Sequence, residues 1–268
     1  MTIQLPWTLV DQVRDHNPIV LTLANIVTID KVADGRSASG ASPIMSTGTF
    51  EAQPMATMAN AITINLGTIN LEQLNQIRAV LQTTPQTTPL ILDPVAVGAV
   101  KARLTIAHHL LADFPFTVIR GNASEIAALV GQTGHSHGID AGNENDNQSI
   151  AMACAQRYHT LVVLTGPVDV ITDGQQIWQN NLSTDLLATN VGSGDMLSSI
   201  IGAYLSVSSD HFKAAVVAVK IFTTAGVIAA QEANGLGSWQ VKFFDQLSAM
   251  TSTKIQEFIK SEESTNGK

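Results

Sequence analysis

The segment richest in chemistry comes late in the chain, in ATNVGSGDMLSSIIGAYL, residues 188–205. Gly192-Ser193-Gly194 precedes a strongly apolar run with helical patterning. Glycines there let backbone N–H groups converge on one point, and a helix N-terminus adds positive partial charge. Such a cradle suits the charge that develops on a transferring phosphoryl group. Asp195 follows at once, in the first turn. It serves either as a helix-capping carboxylate, worth about 1 kcal/mol, or as the base that takes a proton from a hydroxyl attacking phosphorus. Two familiar nucleotide-binding patterns are excluded. No G-x-x-x-x-G-K-[ST] run occurs, and Leu197 stands where the third glycine of G-x-G-x-x-G belongs.

A second segment, VIRGNASEIAAL at 118–129, sets Asn122 and Glu125 three residues apart at a helix start, so both face one crevice. One reading makes Asn122 the N-cap and Glu125 its capping-box partner. The other gives Glu125 to a magnesium ion, directly or through water. Asp93, which closes PLILD before Pro94, offers a second acidic oxygen to that ion. Asn25, Arg120 and Thr165 also follow apolar runs. Singly, each of these polar residues reads as an ordinary turn or cap. Together they mark the carboxyl ends of strands, where open α/β sheets hold their ligands.

Positioning these residues takes a sheet. IVLTL (19–23), AITINL (61–66), PLILD (89–93), FTVIR (116–120) and LVVLT (161–165) are nearly unbroken apolar runs, separated by amphipathic stretches such as LEQLNQIRAVLQ. That alternation predicts parallel strands covered by helices on both faces. Beyond Thr165, VDVITDG and QQIWQN predict a hairpin about Asp173-Gly174. Apolar helices are then expected over 194–205 and 212–231. The fold class read from this pattern is α/β: one domain over 1–268, in three α/β/α layers, with a mostly parallel central sheet. The Gly/Asn/Asp-rich run 131–147 reads as a mobile loop and 260–268 as a disordered tail. His135 and His137, in that loop, lack a third ligand at any zinc-site spacing.

Composition narrows the function. With 45% hydrophobic residues the chain can bury a large core, while a net charge of −8 and the absence of any basic run exclude a nucleic-acid partner. The single cysteine, Cys154, rules out an internal disulfide, suits a reducing cytosol and sits in an apolar-periodic segment that reads as core. Residues 1–7 lack the plan of a signal peptide, and the apolar run 214–230 is interrupted by Lys220. A cytoplasmic protein without membrane partners is expected. Only 13% of residues are charged, which fits either surface covered by other subunits or a slightly apolar monomer.

NASEI after a strand, DPVAVGA after another, LTG-x-VDVI-x-DG and the late GSGD helix occur in the order found in ribokinase-like kinases. ANIVT (24–28) and GASPIM (40–45) resemble the hydroxyethylthiazole kinase family in particular, and the similarity spans roughly 15–230. The resemblance implies transfer of the ATP γ-phosphoryl group to the primary hydroxyl of 4-methyl-5-(2-hydroxyethyl)thiazole, with magnesium. It implies that Met45 and Gly192 contact the alcohol, with Asn25 of ANIVT on the same side. Arg120 and Thr165 are implied for ATP, with Asn122, Ser193 and Gly194 beside them. It also implies a homotrimer with sites between neighbouring subunits. Two departures stand out. Many members carry cysteine where this chain has Asp195, although aspartate is usual in the wider superfamily. Near the thiazole site, ADGRSAS at 33–39 replaces an ANGLLAL-like run, so Arg36 and Ser37 stand where apolar residues are usual. The alternatives are a kinase for hydroxymethylpyrimidine, pyridoxal or a sugar, and a non-catalytic nucleotide sensor, which would have no use for Asp195.

Overall fold

The computed structural model describes residues 4–132 and 144–266. From the N-terminus, α1 (Leu9–His16) leads into β1 (Ile19–Leu23), α2 (Ile29–Ser39) and the short β2 (Ser42–Ile44). Next come α3 (Ala52–Met58), β3 (Ala61–Asn65), α4 (Leu71–Thr83), β4 (Leu90–Asp93) and α5 (Lys101–Asp113). The centre holds β5 (Val118–Asn122), α6 (Ala123–Leu129), α7 (Glu144–Tyr158) and β6 (Leu161–Thr165). A hairpin of β7 (Asp169–Thr172) and β8 (Ile177–Asn180) precedes α8 (Asp185–Thr189) and α9 (Ser193–Ser206). The chain then runs through α10 (His211–Glu232), α11 (Leu236–Ser248) and α12 (Ser252–Asn266).

The eight strands form one sheet in the order β2-β1-β3-β4-β5-β6-β7-β8. Pairing is parallel up to β6 and antiparallel through the hairpin, as the pattern predicted. Alternation along the strands divides the core in two. Val20, Ala61, Ile91, Val118 and Val163 face the α9, α10 and α11 side. Their neighbours Leu21, Ile62, Leu92, Ile119 and Val162 face α4 to α7. A period of two with both faces apolar is what buries a parallel sheet on both sides. Trp239 closes the first core: its ring stacks 4.9 Å from Phe243 and its Nε1 donates to the Gly226 carbonyl at 2.9 Å. Cys154 is wholly buried, and burial pushes its thiol up to about 12, so it is a core residue.

Parallel register levels the functional strand ends. Asn65 is opposite Asp93, and Asn122 is opposite Thr165. β5 lies two residues later than FTVIR suggested, because Asn122 still pairs with β6 before capping α6. Of the expected loop 131–147, residues from Glu144 onward are helical, and 133–143, with His135 and His137, lie outside the described residues. The expected tail from 260 is helical as far as Asn266. Ile255, wholly buried, and Ile259 anchor α12 on the core, and that packing overrides a polar composition. The helix α10 is long and apolar enough to cross a bilayer, but most of it is buried inside the protein.

Candidate active site

α9 opens on Gly192, whose φ of +98° would strain any other residue. A side chain there would also press on Thr28. The Ser193 amide turns back to the Asn190 carbonyl at 3.2 Å, and its hydroxyl is held by Asn190 as well. The amides of Gly194 and Asp195 are left without an acceptor among the described residues, whereas the Ser193 amide and hydroxyl are engaged with Asn190. Gly194 is glycine for a steric reason too, since a Cβ would overlap the Arg120 guanidinium that lies against it.

Asp195 is 5% exposed. Its Oδ2 accepts from the Thr28 hydroxyl at 2.5 Å and from Asn25 Nδ2 at 3.2 Å, while the buried Oδ1 has no hydrogen-bond partner among the described residues. Neither bond closes a cap on α9, whose N-cap is Gly192. Burial, and then the charge of Asp93, push the Asp195 carboxyl up to about 7, against the hydrogen bond from Thr28 and the charges of Arg120 and Arg36. A carboxyl poised near neutral pH, with one oxygen anchored and the other unpaired, is well placed to accept a proton.

A continuous buried network joins the strand ends. Asn25 Nδ2 also donates to Asn65 Oδ1 at 3.2 Å, and Asn65 Nδ2 donates to Asp93 Oδ2 at 3.1 Å. The Ser198 hydroxyl, one turn along α9, donates to the same Asp93 oxygen at 2.9 Å. Arg120 NH1 lies 3.6 Å from that oxygen, and its NH2 donates to Thr165 Oγ1 at 2.6 Å. Burial raises the Asp93 carboxyl despite Arg120. Burial, and then Asp93, raise Glu125.

Asn25, Asp93, Arg120, Asn122, Glu125, Gly192, Gly194 and Asp195 line one cavity of about 400 Å³ at the carboxyl edge of the sheet. Three expected site residues do not line it. Thr165 reaches it only through Arg120, Ser193 is held by Asn190, and Met45 sits beyond β2 with its sulfur 3.7 Å from Arg36 NH2. Thr28, Asn65 and Ser198 belong to the site and were not expected individually. Asn65 ends a strand as Asp93 does but was hidden inside AITINL, and Ser198 lies three residues after Asp195. A larger cavity of about 510 Å³, between the N-terminal residues and the start of α10, lies away from these groups.

For a divalent metal the donors fit in part. Asp93 Oδ1 is buried without a hydrogen-bond partner among the described residues, which leaves it free to ligate. Both Glu125 oxygens are engaged, with Ala96 N at 2.9 Å and Asn122 N at 2.8 Å. The capping box anticipated for Asn122 and Glu125 is thus complete. Each Glu125 oxygen accepts one hydrogen bond and keeps a second lone pair, so contact with a metal directly or through water is compatible with this arrangement. Among the described residues no group of three or more His, Cys, Asp or Glu could hold a metal. Mg²⁺ needs no such cage, since it keeps several waters and binds substrate phosphates with one or two carboxylates.

Phosphoryl transfer to an alcohol is the chemistry this crevice is equipped for, and on such a sheet it defines a small-molecule kinase of the ribokinase-like class. The model of the hydroxyethylthiazole kinase family matches residues 10–253. The hydroxyethylthiazole kinase of Limosilactobacillus reuteri (strain DSM 20016) is 57% identical over 256 residues, spanning 96% of this chain and 95% of its own. That of Lactiplantibacillus plantarum (strain ATCC BAA-793 / NCIMB 8826 / WCFS1) is 46% identical over 257 residues, covering 94% and 98%. The solved structure of the hydroxyethylthiazole kinase protein from Pyrococcus horikoshii OT3 superposes with a TM-score of 0.83 at 30% identity, over 92% of this chain and 94% of that one. The chain belongs to the hydroxyethylthiazole kinase family and is an enzyme, a kinase.

Proposed function

We propose that this kinase transfers the γ-phosphoryl group of ATP to the primary hydroxyl of 4-methyl-5-(2-hydroxyethyl)thiazole in the cytosol, with Asp195 as the base. The observation that carries the mechanism is the unpaired Asp195 Oδ1 beside two unpaired amides. As the alcohol oxygen bonds to phosphorus, its proton passes to Asp195 Oδ1, and the bond from the γ-phosphorus to the bridging oxygen breaks to release ADP. Charge on the transferring group is met by the amides of Gly194 and Asp195 and by Arg120, which Thr165 orients. Bound magnesium would neutralise phosphate charge, and Asp93 Oδ1 is the oxygen this chain would offer it, with Glu125 reaching it directly or through water. Asn122 Nδ2 remains for the nucleotide, since Asn122 Oδ1 caps α6. Gly192 and Asn25 form the alcohol side of the cavity. The expected result is magnesium-dependent ATP consumption with the thiazole alcohol. Turnover on hydroxymethylpyrimidine, pyridoxal or a sugar with none on the thiazole would refute the substrate while leaving the reaction class.

We assign the working form to a homotrimer with sites shared between subunits. Met45 lies outside the cavity of its own chain, and Val27 and Val191 at the cavity mouth are 66% and 62% exposed, an apolar rim suited to a neighbouring chain. Light scattering is expected to give a mass near three times 28.4 kDa, and a mass near 28.4 kDa at micromolar protein is the contrary result.

A further inference from the structure

Arg36 is a buried cation that forms no ion pair among the described residues. It is 0% exposed, and among the described residues its guanidinium bonds Val20 O, Thr22 Oγ1 at 2.8 Å and Met45 Sδ at 3.7 Å. Its Nε has no partner among them. Burial pushes the guanidinium down to about 9, opposed by the charge of Asp195. A buried charge that lacks an ion-pair partner costs several kcal/mol, and an apolar side chain of similar volume is often more stable there. Arg36 thus weakens the fold where it stands, and such rule-breaking residues concentrate at functional sites.

Its contacts lead to the acceptor side of the site by two routes. NH2 holds the sulfur of Met45. Through NH1 it holds Thr22, whose hydroxyl is 2.6 Å from Ser199 Oγ. Ser199 is four residues beyond Asp195 on α9, so the two share one helix face. The helix α2 also packs directly on α9, since a Cβ on Gly35 would overlap the Met196 side chain.

We infer that Arg36 is a positioning residue for the phosphoryl acceptor, holding Met45 by its sulfur and the first turns of α9 through Thr22 and Ser199. It acts through those residues without meeting the alcohol. The inference rests on the thiazole-kinase reading, which the turnover of the parent enzyme tests separately. A parent inactive on the thiazole alcohol defeats that reading, and Arg36 is then assessed on whichever alcohol the parent accepts.

The test compares Arg36→Met and Arg36→Lys with the parent, measuring KM and calorimetric Kd separately for the alcohol and for ATP. Arg36→Met is expected to weaken the alcohol about tenfold or more while ATP stays within about twofold, because a displacement near 1 Å at a reacting group can cost up to about 10²-fold. Arg36→Lys keeps the charge and is expected to recover most of the loss. Unchanged alcohol affinity, an equal loss for ATP, or no recovery with lysine would each overturn the inference. Should Arg36→Met fail to fold, Thr22→Val cuts the link to α9 and keeps the arginine. It is expected to raise the alcohol KM about threefold, and an unchanged KM would count against Arg36 equally.

Discussion

Asp195→Asn is expected to fold, bind ATP and lose at least about a hundredfold in kcat, within the 10²–10⁴ typical of a lost general base. A primary alcohol is a poor nucleophile at neutral pH, and Asp195 Oδ1 is the unpaired oxygen beside the cradle. Two further readouts follow from a carboxyl held at about 7. In the parent, kcat/KM should fall below roughly pH 7, tenfold per unit, because protonated Asp195 is no base. Stability should move the other way. The folded pKa lies above the ordinary carboxyl value of 3.8, so the contribution of Asp195 to stability is fully present below pH 3.8 and lost as pH rises through about 7. At pH 8 the asparagine variant should therefore be more stable than the parent, by on the order of 4 kcal/mol, and at pH 4 about equal. An unchanged kcat with a lowered melting temperature at pH 8 would mean that Asp195 serves only structure.

Arg120→Ala should have the second largest effect, on nucleotide and stability together. Arg120 lies against Gly194 of the cradle, 3.6 Å from Asp93 and hydrogen-bonded to Thr165. Its loss removes a cation from the transition state, and losing one such donor typically costs about 10²–10³ in rate. We expect kcat/KM for ATP to fall by that order, with the KM for ATP up at least about tenfold and the KM for the alcohol within about threefold. Removing Arg120 also strands Asp93 in the interior, and an uncompensated buried charge costs about 3–5 kcal/mol. Part of that loss should return as the pH is lowered, because burial already raises the Asp93 carboxyl and a proton would remove the stranded charge. Thr165→Val should raise the KM for ATP in the same direction and by less, since it only loosens Arg120. If both variants bind ATP like the parent, the nucleotide is not held at these strand ends.

How the site was legible varies by residue. Asp195 and Gly194 could be found because a glycine-led helix start is a local feature of the backbone. Asn122 and Glu125 were read as both cap and site, and the structure makes the cap complete. Ser193 shared the motif, but its side chain and amide turn to Asn190, a contact that depends on the path of the loop before α9. Thr28 and Asn65 carry no local signature. Thr28 matters because it bonds Asp195 directly, and Asn65 because it bonds Asp93 directly and reaches Asp195 through Asn25. The helix α2 was not anticipated either, since IDKVADGRSAS has little amphipathic pattern and folds where it is packed against α9.

By itself the sequence determined the layers, the parallel sheet with its terminal hairpin, and which strand ends bear polar groups. Those follow from apolar periodicity and glycine placement, which act over a few residues at a time. Tertiary structure alone decided that Asp195 leaves one oxygen free, that Asp93 is shared by Arg120, Asn65 and Ser198, and that Arg36 lies inside the core rather than on the surface. The physical reason is that desolvation and partner geometry set the charge and proton affinity of a carboxyl or guanidinium. Both depend on residues that lie up to 170 positions apart in the chain and meet only when the sheet closes under α9.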